Sequence, residues 1–229
     1  MRELLPLIST IPKTCGRRCK VAAIARSPFA HRLTGAGQTP QNENVVIRDL
    51  SRLPRIGFKG NGTTKWLSSK VSAVPDIPNK AIALSDGALI ARLGKEEYLV
   101  LPDPDAVGNV CRDLEASWNA DDARGERRIG YPLPRADSHS WLHLEGRCIA
   151  QMMAKICGVD LRSERLLQGE VVQTVVARIS AVLIREMKND PYGLHMLTDF
   201  ASADYLWDVL QDASTEFGGG FSWEREDLK

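Results

Sequence analysis

The sequence predicts an α+β fold built from two copies of one unit, each read as strand–helix–strand–strand–helix. Three observations carry that reading. Ile56-Gly57-Phe58-Lys59-Gly60, followed after five residues by Trp66-Leu67, returns 86 positions on as Leu142-His143-Leu144-Glu145-Gly146 with Met152-Met153 at the same spacing. The same offset maps Ile90-Ala91-Arg92-Leu93 onto Val176-Ala177-Arg178-Ile179, and an internal repeat is weighed before any local motif. Short segments of period-two alternation then stand between stripes of helical spacing: Val107, Val110, Cys111 and Leu114 in one half, Leu206, Val209, Leu210 and Ala213 in the other.

Residues 1–44 read as a basic, extended N-terminal arm, broken by Pro6, Pro12 and Pro28 and by the glycine-rich run from Gly35 to Pro40. The first α+β repeat is placed at 45–118. Val45-Val46-Ile47 opens it, a strand through Ile56 and Phe58 ends at Gly60, and Asn61 is the expected cap of a short helix carrying Trp66 and Leu67. Ile82 and Leu84 make the next strand, Asp86-Gly87 turns the chain, and Leu89 to Leu93 answers as a hairpin arm before Tyr98-Leu99-Val100-Leu101. Pro102-Asp103-Pro104-Asp105 is expected to open a helix, since proline and acids favour a first turn.

Residues 119–140, charged and carrying Pro132 and Pro134, are expected to form a connector. The second repeat is placed at 141–217. Leu142 and Leu144 make a strand ending at Gly146, and a helix with Ile149, Met152, Met153 and Ile156 closes at Gly158. Val171 to Ile184 is strand material, Gly193 to Leu197 is a further strand, and Ser202 caps the last helix. Residues 218–229 form a C-terminal tail. Gly60 and Gly146 are assigned as structural turns, because a residue without Cβ lets a strand bend into a helix at positive φ.

Hydrophobic residues make up 43% of the 229 and charged residues 26%, the balance of a chain able to bury a core. No apolar run approaches the roughly 18 residues of a membrane helix, and a cytoplasmic location is expected. The net charge of +1 hides an asymmetry: residues 1–35 carry seven Lys/Arg and one acid, Glu3. Such an arm suits an acidic partner as well as nucleic acid, and it lacks the interleaved aromatics that stack bases.

No motif assembles a catalytic centre. Gly57-x-x-Gly60-x-Gly62 follows a strand but fits neither a dinucleotide loop nor a Walker A loop. The cysteines Cys15, Cys19, Cys111, Cys148 and Cys157 form no CxxC pair and no zinc spacing with His31, His139, His143 and His195. Cys111, Cys148 and Cys157 sit in apolar helical patterns as small core residues. His143 alternates to the face opposite Leu142 and Leu144, which suits solvent or an interface. Glu96-Glu97 and Asp121-Asp122 read as solvated turns. Catalytic, cofactor-binding and metal-ligating residues are therefore expected to be absent from this chain.

Several segments resemble the gamma subunits of heterotetrameric sarcosine oxidases: Arg55 to Gly60, Pro78-Asn79, Ala91 to Leu99, Ala154 to Leu161, Gln173 to Ile179 and Asp199 to Trp207. The resemblance runs in register over roughly residues 45–220. It implies a folate-binding fold like that of the glycine-cleavage T-protein aminomethyltransferases, assembled from ferredoxin-like units. It also implies a complex that oxidatively demethylates sarcosine to glycine. There FAD, covalent FMN, NAD and tetrahydrofolate belong to the large partner subunits and a zinc to the smallest, with this chain an accessory to alpha, beta and delta subunits.

Asp49-Leu50-Ser51 looks like that family's Asp-x-Ser. Its acidic pair after the first hairpin glycine is replaced by Ala88-Leu89, and its Tyr-Thr-Gly-Glu element by Asp190-Pro191-Tyr192-Gly193. Folate catalysis is therefore not expected. The alternative, a stand-alone tetrahydrofolate-dependent aminomethyltransferase-like protein, would use Asp49, Arg92 and Arg178 around an anionic ligand. Trp223 and Trp141 are the expected partner contacts, while Trp66 and Trp207 suit core packing.

Overall fold

Alternation along each strand sorts the apolar side chains into three layers. The computed structural model describes residues 26–33, 40–106, 108–125, 129–187 and 191–222. In chain order the first elements are α1 (Ala30–Leu33), β1 (Val46–Asp49), β2 (Ile56–Asn61), α2 (Thr63–Ser68), β3 (Lys80–Ala83), β4 (Leu89–Gly94), β5 (Glu97–Leu101) and α3 (Val110–Ala123). Then come β6 (Ile129–Pro134), β7 (His139–Glu145), α4 (Ile149–Met153), β8 (Val171–Val176), β9 (Ile179–Arg185), β10 (Gly193–Asp199), α5 (Ala203–Thr215) and β11 (Gly220–Ser222). They form two sheets, ordered β3-β4-β5-β2-β6 and β8-β9-β10-β7-β1-β11.

On the first sheet Ile56, Phe58, Ile90, Tyr98 and Val100 meet Trp66 and Leu67 of α2 and Cys111, Leu114 and Trp118 of α3. On the second, Leu142, Leu144, Leu183, Leu194 and Met196 meet Ile149, Met152 and Met153 of α4 and Leu206, Trp207 and Leu210 of α5. Between them the remaining faces close on each other: Leu89, Ala91, Leu93, Leu99 and Leu101 share one cluster with Trp141, Val171, Ile184 and Leu197. The result is helix, sheet, sheet, helix. Each Leu, Val or Ile taken fully from water there contributes about 1.5–3 kcal/mol, which is what holds the layers.

The two sheets use the same order of corresponding strands, β2, β3, β4 and β5 matching β7, β8, β9 and β10. The glycine repeat has a physical counterpart: Gly60 lies at φ 113 and Gly146 at φ 132, each where a strand gives way to a helix. A Cβ at Gly146 would stand 2.3 Å from the Asn44 carbonyl oxygen, and one at Gly60 2.4 Å from that of Ile129. The second half of the offset does not hold. Ile90 to Leu93 lies within β4, whereas Ala177 and Arg178 make the β8–β9 turn at φ 49 and 66. Two left-handed residues in a row form the tight hairpin whose twist suits its strands, here without the usual glycine or asparagine.

Other expectations need correcting. Each unit places three strands between its helices, not two. Helix α2 is capped by Gly62 at φ 88 rather than by Asn61, and the Glu96 carboxylate accepts from the Thr64 N–H at 2.9 Å. Helix α3 begins at Val110, not at Pro102, since the residue before a proline is pushed from helical angles. The supposed connector contains β6, an edge strand on β2 that tolerates Pro132 and Pro134 because an edge leaves N–H positions unpaired. Strand β1, read with the first half, pairs with β7 in the second sheet, and β11 of the supposed tail lies parallel beside it.

Within the arm, the described residues 26–33 dock rather than extend. Phe29 is buried against Trp207 and Phe221, and Arg32 pairs with Asp204 and Asp208 on α5. The described part of the arm thus meets an acidic helix of its own chain. Among the described residues no helix is long and apolar enough to cross a membrane.

Polar groups tie the corners. Backbone bonds link the sheets where β3 meets β8, from Ala81 N–H to Gly169 at 2.6 Å and from Val171 N–H to Asn79 at 3.0 Å, and Lys80 reaches Glu170 at 2.8 Å. Arg55, buried, donates to the carbonyls of Ser51, Leu53, Ala136 and His139. Burial lowers its pKa to about 10. Under α2, the buried Asp121 accepts from Trp66 Nε1 at 2.9 Å and pairs with Lys70 at 3.0 Å. The Trp66 bond, then Lys70, hold its carboxyl below the ordinary range.

Trp141, expected at a partner surface, is wholly enclosed in the inner layer. Trp141→Ala should destabilise the isolated chain by about 3–5 kcal/mol in urea unfolding, the cost of emptying a buried aromatic site. Gly146→Ala should lose about 1–3 kcal/mol through its backbone angle alone. Gly158→Ala, facing open space, should change stability by less than about 0.5 kcal/mol. Because the Asp121 folded pKa is lowered, its contribution is present above the ordinary carboxylate value, about 3.9, and is lost as pH falls through the folded value. Asp121→Asn should lower the melting temperature at pH 7 and flatten the acid limb of the stability curve.

Candidate functional site

Strand register builds a polar end onto an otherwise apolar inner layer. The β7–β10 pairing sets His143 directly opposite His195, two residues from the Trp141–Leu197 pair that faces the other sheet. Alternation by two therefore turns both histidines inward. The same count along β9 turns Glu186 inward, two residues past Ile184 of the inner cluster. On β1, Arg48 pairs opposite His143 and its guanidinium crosses to Asp105 at 3.3 Å.

These side chains line a cavity of about 410 Å³ between the sheets, together with Asp103, Glu145, Met187 and Pro191. His143 Nε2 stands 3.3 Å from Glu186 Oε2, and the His143 and His195 rings are 4.9 Å apart. Trp141 Nε1 donates to His195 Nδ1 at 3.3 Å, which leaves the proton of a neutral His195 on Nε2. His143 is 5% exposed and His195 2%, so the solvent or interface position read for His143 is corrected: its face is the opposite one, but a second sheet covers it. Glu186 was missed because nothing local marks it. Counting on from Ile184 would have found it.

Gly193 makes the convergence possible. It lies in β10 between Glu145 of β7 and Glu186, whose N–H donates to the Gly193 carbonyl at 3.0 Å. A Cβ there would meet Glu186 Oε2 at 2.2 Å and His143 Nε2 at 3.1 Å. The carboxylate occupies the space that a side chain would fill.

The residues of the folate alternative do not come together here. Asp49 accepts from the Ser27 hydroxyl and from the Ser51 N–H at 2.9 Å, and burial raises its pKa. Arg92 donates to the carbonyls of Pro75, Asp76, Gly94 and Lys95, and Arg178 occupies the β8–β9 turn. A second cavity of about 750 Å³ opens beside α4, lined by Arg147, Gln151, Asp160, Arg162 and Tyr192. In it Arg162 holds the Asp160 carboxyl near 2, and burial lifts the Tyr192 phenol to about 12. Cys111, in the α3 core, is pushed up to about 12 by burial, and Cys148 and Cys157 pack with the second core. Trp66 and Trp207 are core residues. Cys15, Cys19 and Trp223 lie outside the described residues.

No protein-family profile and no curated protein matches the sequence. Among solved structures, the chain is similar to one of heterotetrameric sarcosine oxidase from Corynebacterium sp. U-96, in complex with pyrrole 2-carboxylate. The TM-score is 0.67 at 21% identity, over 87% of this chain and 97% of that one. It is also similar to glycine cleavage system aminomethyltransferase T from Bartonella henselae, with a TM-score of 0.57 at 15% identity over 79% of this chain and 48% of that one. The fold that the resemblance of the sequence segments implied is met by both structures. This chain therefore shares its fold with a chain of a heterotetrameric sarcosine oxidase and with about half of an aminomethyltransferase T.

Proposed function

We propose that this chain is an accessory, non-catalytic gamma-type subunit of a heterotetrameric sarcosine oxidase-like flavoenzyme that demethylates sarcosine to glycine. One observation carries the reading. The structural match runs through 97% of a chain from such an oxidase, end to end, but through 48% of aminomethyltransferase T. Alpha, beta and delta subunits are the proposed partners. FAD, FMN, NAD and tetrahydrofolate are proposed to sit on them, and the assembly to be cytoplasmic.

The second reading, a stand-alone folate-dependent one-carbon protein, draws on the fold shared with aminomethyltransferase T. Against it, Asp49 and Arg92 are already engaged within the chain. Native purification of the tagged chain from its host at low salt, followed by native mass spectrometry and a flavin absorbance scan, tests the proposal. Co-elution with a yellow complex of four different chains is the expected result. A colourless monomer would overturn it, and micromolar binding of tetrahydrofolate by that monomer would establish the second reading.

A further inference from the structure

Independently of any partner, we infer that the polar end of the inner layer is a site for one transition-metal dication of the zinc class, held by His143, Glu186 and His195. Among the described residues, this is a group whose possible ligand atoms all lie within 4.8 Å of one another. Ligand atoms of a tetrahedral zinc, each about 2.0–2.1 Å from the metal, stand about 3.4 Å apart. The His143–Glu186 contact at 3.3 Å already has that separation. Two imidazoles and one carboxylate leave a fourth position open, and all three residues line the 410 Å³ cavity.

Two further observations point to a cation. His143 Nδ1 is buried without a hydrogen-bond partner, and the Glu145 carboxylate stands 3.8 Å away. A metal-bound histidine directs its second ring N–H to such a carboxylate, so loading Nε2 gives Nδ1 the proton it can donate. The charged residues lining the cavity are Arg48 against Asp103, Asp105, Glu145 and Glu186, an excess of negative charge. At His195, metal on Nε2 moves the ring proton to Nδ1, with no net proton released from the neutral ring. Trp141 Nε1–H then loses its acceptor, which makes this indole a reporter of binding.

The test is Co²⁺ titration of the full chain after dialysis against chelator, read by visible absorption and tryptophan fluorescence, with Zn²⁺ competition by calorimetry. One Co²⁺ per chain with a tetrahedral visible spectrum and a fluorescence change is expected. His143→Ala, His195→Ala and Glu186→Gln should each weaken binding more than about 100-fold, and Glu145→Gln about 10–100-fold. Gly193→Ala guards against misfolding. The atom its Cβ would overlap is the end of the flexible Glu186 side chain, with His143 Nε2 next at 3.1 Å, so the variant should keep the fold while losing the metal. No binding by the wild-type chain would overturn the site. So would binding unchanged in folded Gly193→Ala and Glu186→Gln, or a near-ultraviolet thiolate band placing the metal on cysteine.

Discussion

The contact between the two sheets is the constraint on which the rest of the structure depends. Each sheet has a helix-covered face and a second apolar face, and the second faces leave water only against each other. Leu89, Leu93, Leu99 and Leu101 from one side and Trp141, Ile184 and Leu197 from the other form that layer. A slip of one residue in any of these strands would exchange its inner and outer side chains, so burial on both faces enforces register throughout. The helices then add to sheets whose positions are already set.

That layer also explains why the chain does not divide into two self-contained halves. Strand β1 precedes the first sheet in sequence yet completes the second, where it carries β11 on its outer edge. The β3 and β8 edges are joined by backbone bonds, and Arg55 binds the loop before β2 to the turn before β7. A buried guanidinium is costly unless its donors are met. Four backbone carbonyls take the hydrogens of its two terminal nitrogens while Nε is buried without a partner, which makes Arg55 a fastening between segments that still carries part of that cost.

The same geometry concentrates polar groups at one end. Inward positions along β7, β10 and β9 with the residue after it run from Trp141, Leu197 and Ile184 to His143, His195 and Glu186, with Gly193 leaving room among them. The apolar part of the row supplies cohesion and fixes the register. The polar part inherits that rigidity: His143 and His195 sit within β7 and β10, and Glu186 follows directly on the end of β9.

How much of this was legible depends on the range of the interaction. Sequence by itself determined the strand–glycine–helix repeat at Gly60 and Gly146, the alternation along β4, β5 and β10, and the stripe of α5, because each reflects neighbours a few residues apart. It also carried the resemblance that the fold comparison met. It misplaced Trp141 and His143, assigned β1 to the wrong sheet, and took the Ala177-Arg178 turn for strand, because those outcomes depend on which face another segment covers. Only the tertiary structure decided that both faces of the second sheet are buried. It alone brought Glu186 and His143, 43 residues apart in the chain, to the same cavity.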